Sequence, residues 1–140
     1  WRINSTAAKS ALCLMAQLRP KSFLTGSEVD LGSVLSAYNA RQFHHIYPKG
    51  YLASKGKSFH EANVIANICF LSASENNKIS DTAPVDYFKE IPADHAAEIF
   101  DSAVIPDNAR NGEMPFDEFI RLRAESLKSV ADKLMTTGRV

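Results

Sequence analysis

The sequence predicts an α+β fold that is mostly helical with one small two-stranded element, and three observations carry that expectation. After Pro115, the residues Phe116, Phe119, Ile120, Leu127, Val130, Ala131 and Leu134 recur at about 3.6-residue spacing, the period of one helix face. Near the start, Ala8, Ala11, Leu12, Met15 and Leu18 repeat the same pattern. Between them lie two short apolar runs, residues 41–47 and 68–71, which read as strands.

In chain order, residues 5–18 form an amphipathic helix with Ser5 or Thr6 as N-cap and Pro20 just past its end. Turn chemistry at Thr25-Gly26-Ser27 precedes a short helix over residues 34–38. The run 41–47 is aromatic-rich and stopped by Pro48, which cannot continue a ladder. A helical turn is expected over residues 51–55, then the second strand, then a helix that starts at Glu75 with Ser74 as N-cap. Residues 84–91 and 92–105 suit two further helices, the second bounded by Pro106. Pro115 suits the first position of the last helix, and Gly138 lies just past its end.

With 140 residues, 45% hydrophobic and 23% charged, the chain fits one ordinary globular unit. No apolar run approaches the roughly 20 residues that a bilayer requires, and no signal-peptide pattern opens the chain. Cys13 and Cys69 form no CxxC, which argues against a disulfide framework and a zinc knuckle, so a cytoplasmic setting is expected. The sequence begins at Trp1 and is expected to be a C-terminal piece of a larger protein. Net charge is +0, but it is unevenly spread: Arg41, Lys49, Lys55 and Lys57 are the only charges from residue 31 to 60, whereas residues 81–107 are acidic.

Chemistry concentrates in two places. In Phe43-His44-His45-Ile46-Tyr47-Pro48, two adjacent imidazoles point to opposite faces of a regular strand. They are either two partly buried histidines or, at a bend, a metal ligand beside a proton acceptor. In residues 66–78, Asn67 is either a turn residue or a loop brace. Asn76 is either a helix cap or an oxygen ligand for a hard cation. His60, His95 and the Glu98/Asp101 pair read as exposed or structural.

Taken together, His-His-Ile-Tyr-Pro-Lys, Ala-Asn-Ile-Cys-Phe-Leu-Ser and Glu-Asn-Asn-Lys-Ile-Ser-Asp resemble the HNH, or ββα-metal, nuclease motif. The likeness is in particular to the C-terminal nuclease domain of GmrSD-type modification-dependent restriction and phage-defence proteins. The resemblance implies a ββα-metal motif embedded in a helical domain. It makes His44 the first metal ligand, where many HNH enzymes have aspartate, and His45 the general base. Asn67 becomes the brace of the loop between the strands, and Asn76 a ligand or phosphate-orienting residue, with Asn77 its alternative. Lys49 and Lys78 are the candidates for phosphate contact. The implied activity is endonucleolytic hydrolysis of DNA with Mg²⁺, or Mn²⁺ in its place, under the control of an upstream nucleotide-dependent domain. The competing expectation is a catalytically silent nucleic-acid-binding or assembly module of the same shape.

Overall fold

The side chain of Ser5 accepts the N–H of Ala8 at 3.2 Å and starts α1 (Thr6–Gln17), the use of a short side-chain oxygen at an N-cap. The computed structural model describes residues 5–38 and 44–138. The chain is mostly helical, at 62% helix, with a two-stranded antiparallel sheet, and so is of the α+β class. No helix among the described residues is long and apolar enough to cross a membrane.

Several boundaries differ from the sequence expectation, each for a local reason. Helix α2 (Leu31–Tyr38) starts earlier than residue 34 because the Asp30 carboxylate accepts the N–H groups of Gly32 and Ser33, at 3.0 and 3.3 Å. Of the strand expected over 41–47, residues 41–43 lie outside the described residues, and β1 is His44–His45. Helix α3 (Lys49–Ser54) begins directly after Pro48. Helix α4 (Phe59–Ala62) was not anticipated, although Ser58 and Glu61 form a reciprocal capping box.

A 3₁₀ turn over Ile65–Asn67 leads into β2 (Ile68–Cys69), which ends short of Leu71. Helix α5 is Ala73–Ile79, capped by Ser72 and not by Ser74. Ser72 wins because Glu75, three residues on, reaches back to its N–H while the Ser72 hydroxyl accepts from Glu75 N. Helix α6 (Pro84–Tyr87) tightens into a 3₁₀ turn, and α7 (Ala96–Ser102) emerges from another. Helix α8 (Phe116–Thr137) has Pro115 as its N-cap residue, one place before the expected position. It stops at Gly138, whose φ of 68° is the left-handed conformation that glycine adopts freely.

The sheet is thin but buried on both faces. His44 pairs with Cys69 and His45 with Ile68, and Ile46 N–H donates to Asn67 O at 2.9 Å. Along residues 68–71 the side chains alternate between two apolar clusters. Cys69 and Leu71 join Ile46, Tyr87 and Phe119, whereas Ile68 and Phe70 join Leu12, Met15 and Leu127. A two-residue ladder is held by this two-sided burial more than by its own hydrogen bonds. Tyr87 Oη donates to Ile46 O at 2.7 Å, and Tyr47 Oη donates to Met114 O at 2.6 Å. The chain leaving β1 is thereby fixed from α6 and from the loop before α8.

Helix α8 supplies a fully buried polar side chain. Arg123 is 0% exposed. Its Nη1 donates to Ala66 O at 2.7 Å, and its Nε and Nη2 donate to Ala103 O at 3.1 and 2.9 Å. The guanidinium thus ties the approach to β2 to the end of α7. Buried carbonyls stripped of such donors each cost about 1–3 kcal/mol. Arg123→Ala is therefore expected to destabilise the fold by about 3 kcal/mol or more, read as a lower urea midpoint at unchanged slope.

Candidate functional site

In an antiparallel pair, directly opposed residues share a face and successive residues alternate. His44, opposite Cys69, and His45, opposite Ile68, therefore leave β1 on different sides. Both are 4% exposed. The His44 ring lies against α5, with Nδ1 at 2.6 Å from Asn76 Oδ1. An amide oxygen only accepts, so Nδ1–H is the donor and Nε2 carries the lone pair. That Nε2 is buried and has no hydrogen-bond partner among the described residues.

Burial drives the His44 pKa down from its ordinary 6.5 to about 4. The bond to Asn76 opposes the drop, the neighbouring His45 adds to it, and Glu75 opposes it. The imidazole is neutral at physiological pH, the form in which it can offer a lone pair to a cation.

Asn76 is free to face His44 because capping falls to Ser72. Its backbone N–H donates to Ser72 O at 3.0 Å inside the helix, leaving the side chain for the sheet. Asn77 is exposed, and of the two asparagines it is Asn76 that meets the imidazole. Glu75 is absorbed structurally. Its Oε2 accepts from Ser72 N and Ser72 Oγ, while Oε1 accepts from Ser22 Oγ at 2.7 Å. Burial works against its charge, but these bonds and the N–H of Leu24 outweigh it and hold the carboxyl below its usual pKa.

Asn67 is 0% exposed, and its carboxamide is fully engaged. Oδ1 accepts Tyr47 N–H at 2.8 Å, and Nδ2 donates to Tyr47 O at 3.0 Å and to Ala62 O at 2.9 Å. One side chain thus clamps the exit of β1, the end of α4 and the entry to β2. On the other side of β1, His45 Nε2 lies 3.2 Å from Asn63 Oδ1. Asn63 was not singled out from the sequence. It lies 18 positions from His45 and only the folded loop brings the two together.

His44 and Asn76 line a cleft of about 320 Å³ with Glu28, Asp30, Ser33 and Ser72. Its described lining residues include no lysine or arginine, although Arg19, just outside the lining, pairs with Glu28. His45 is not among them. The two lysines are elsewhere engaged: Lys49 Nζ lies 5.7 Å from the centre of the Phe59 ring, and Lys78 forms an exposed ion pair with Glu90 at 3.4 Å. His60 and His95 are exposed. Cys69 is buried and its thiol is pushed up to about 12, which removes it as a thiolate donor.

Among the described residues no group of three or more His, Cys, Asp or Glu side chains could hold a metal ion. The available pair, one imidazole and one amide oxygen facing a cleft, does not suit a closed structural zinc site. One nitrogen and one oxygen make at most part of a ligand set, with the remaining positions left to water or substrate.

The His44 shift has a sign that can be measured. The folded chain binds this proton less readily than the unfolded chain, so stability is retained above pH 6.5 and lost as pH falls towards 4. The loss should approach about 3 kcal/mol. Metal-free denaturation curves across this window are expected to show it in the wild type, and His44→Gln is expected to abolish that component.

Comparison of the chain with protein-family models, with curated proteins and with solved structures finds no match.

Proposed function

We propose that this chain is a metal-dependent endonuclease of the HNH type that hydrolyses phosphodiester bonds in DNA, working in the cytoplasm in restriction or phage defence. The observation that carries the reading is the contact of His44 with Asn76 across the junction of sheet and helix, at 2.6 Å. Two residues 32 positions apart, on β1 and α5, meet as the strand–strand–helix motif requires. The Asn67 clamp supports the same reading, since bracing the loop between the strands is the role that the resemblance implies for it.

His44 and Asn76 are the residues that would hold the divalent ion, Mg²⁺ or Mn²⁺. When bound, that ion supplies charge neutralisation on the phosphoryl and leaving oxygens. The contact holds the imidazole against α5 and leaves Nε2 as the nitrogen that carries the lone pair for a cation. The carboxylate of Asp30 on the cleft wall favours a cation over a bare phosphate, while that of Glu28 is paired with Arg19.

His45 is the general base, taking a proton from the attacking water at a ring nitrogen. Its position on the opposite face of β1 keeps it off the ligand set. Lys49 and Lys78 are the phosphate contacts, and the exposed Lys78–Glu90 pair is weak enough to be exchanged for a phosphate. Control by an upstream nucleotide-dependent domain belongs to the same proposal.

A second reading, a silent nucleic-acid-binding or assembly module of the same shape, draws on the burial of His45 and its absence from the cleft lining. Plasmid nicking separates the two. Wild type with Mg²⁺ or Mn²⁺ is expected to nick, and His45→Ala to lose on the order of a hundredfold or more in turnover while retaining its fold. His44→Ala and Asn76→Ala are expected to shift the metal titration to higher concentration. A wild type that binds DNA without nicking at any metal concentration would install the second reading.

A further inference from the structure

Among the described residues two large apolar side chains stand in solvent, Phe59 at 63% exposure and Met135 at 77%. Met135 is a flexible side chain in the last turn of α8, whereas Phe59 opens α4, a helix pinned at both ends. At its start Ser58 N–H donates to Glu61 Oε2 at 2.8 Å, and Lys57 Nζ lies 2.8 Å from Asp117 on α8. At its finish Asn67 Nδ2 donates to Ala62 O at 2.9 Å. The Phe59 ring therefore projects from a fixed backbone.

A lone exposed ring needs no explanation by itself. What singles out Phe59 is its company. Lys49 Nζ lies 5.7 Å from the ring centre, and the exposed His60 ring meets it edge-on at 6.0 Å between centroids. Among the described residues no carboxylate pairs with Lys49. The two carboxylates that meet the start of this helix, Glu61 and Asp117, are both bonded to Lys57, and residues 31–60 contain no Asp or Glu. Phe59 also lies one helical turn, about 6 Å of rise, before Asn63, whose Oδ1 is 3.2 Å from His45 Nε2. The ring and the proposed reaction site thus belong to one neighbourhood.

We propose that Phe59 and Lys49 form a stacking platform for an unpaired stretch of the DNA strand beside the site of cutting. A purely apolar partner covering the ring would strip water from the Lys49 ammonium and return no counter-charge. A nucleotide supplies both halves, a base face for the ring and a phosphate for the ammonium. The exposed cation–ring contact is weak enough for Lys49 to turn to that phosphate. Bases inside a duplex are already stacked on both sides, so a ring face selects nucleotides that have left the stack. The proposal deepens the nucleic-acid reading above by naming its substrate class, and it does not require that the chain cuts.

The test measures binding of the full chain, with divalent metal chelated, to a fluorescein-labelled strand of about twelve thymidines and to a duplex of the same length. Wild type is expected to prefer the single strand. Phe59→Ala and Phe59→Leu should each weaken single-strand binding by about tenfold and leave duplex binding unchanged, while Phe59→Tyr retains wild-type affinity. A single 2-aminopurine in the strand should be quenched on binding wild type and Phe59→Tyr but not Phe59→Ala. Lys49→Gln should keep the quenching and lower the slope of log affinity against log salt by about 0.7. A ring so exposed tolerates these changes without loss of the fold.

Single-strand binding that Phe59→Ala leaves intact overturns the proposal, as does a Phe59→Leu protein that binds like wild type, since leucine has bulk but no ring face. Self-association of wild type that Phe59→Ala abolishes, without any binding of the strand, makes the ring a protein contact and overturns it too. The two readings fail separately. A wild type that nicks plasmid while Phe59→Ala binds single strands unchanged sinks the platform alone. A wild type that never nicks but needs Phe59 to hold the strand sinks the nuclease reading and leaves the platform standing.

Discussion

The carboxamide of Asn67 is the interaction on which the arrangement of this molecule depends. A two-residue ladder has too few hydrogen bonds to define its own register. Asn67 supplies the missing definition by accepting from Tyr47 N–H and donating to Tyr47 O, as a third backbone residue of a strand would. Its remaining hydrogen goes to Ala62 O, so the same planar group locates α4. Buried in this way with every donor satisfied, an amide is favourable, whereas a truncated partner would leave main-chain groups stranded in apolar surroundings.

Around this clamp the rest of the chain acts as walls. The alternation of residues 68–71 into two apolar clusters means that β2 is gripped from α1 and α8 on one side and from α6, α7 and the N-terminal part of α8 on the other. Arg123 adds directionality to that grip by holding Ala66 O, one residue before the clamp. Ser22 does the equivalent for α5 through Glu75. The imidazoles of β1 and the carboxamide of Asn76 therefore stand on backbone located from several directions, which is what separates a placed side chain from a merely nearby one.

Much of this was legible in the residues. The terminal helix and α1 announced themselves by period, and Asn67 stood out because asparagine is disfavoured in a strand pattern, whereas the histidine pair and Asn76 gained weight only when the three segments were taken together. Boundaries were less legible. Ser74 was the expected cap of α5, but the reach of Glu75 gives that place to Ser72, and the Asp30 side chain started α2 before its apolar pattern did. Helix α4 carried a readable capping box but is only four residues long, too short to show a period. Asn63 offered no signal at all, because an asparagine at a helix end is ordinary and its meeting with His45 exists only in three dimensions. The neutral charge of the whole chain likewise said nothing of the cleft beside α5, whose lining includes Glu28, ion-paired with Arg19, and Asp30, bonded to Ser33.

The short bond between His44 and Asn76 has a consequence for the imidazole itself. With Nδ1–H given to the amide oxygen, the ring is kept in one tautomer and one orientation, and strand and helix are joined by a side-chain link that burial shields from competing water.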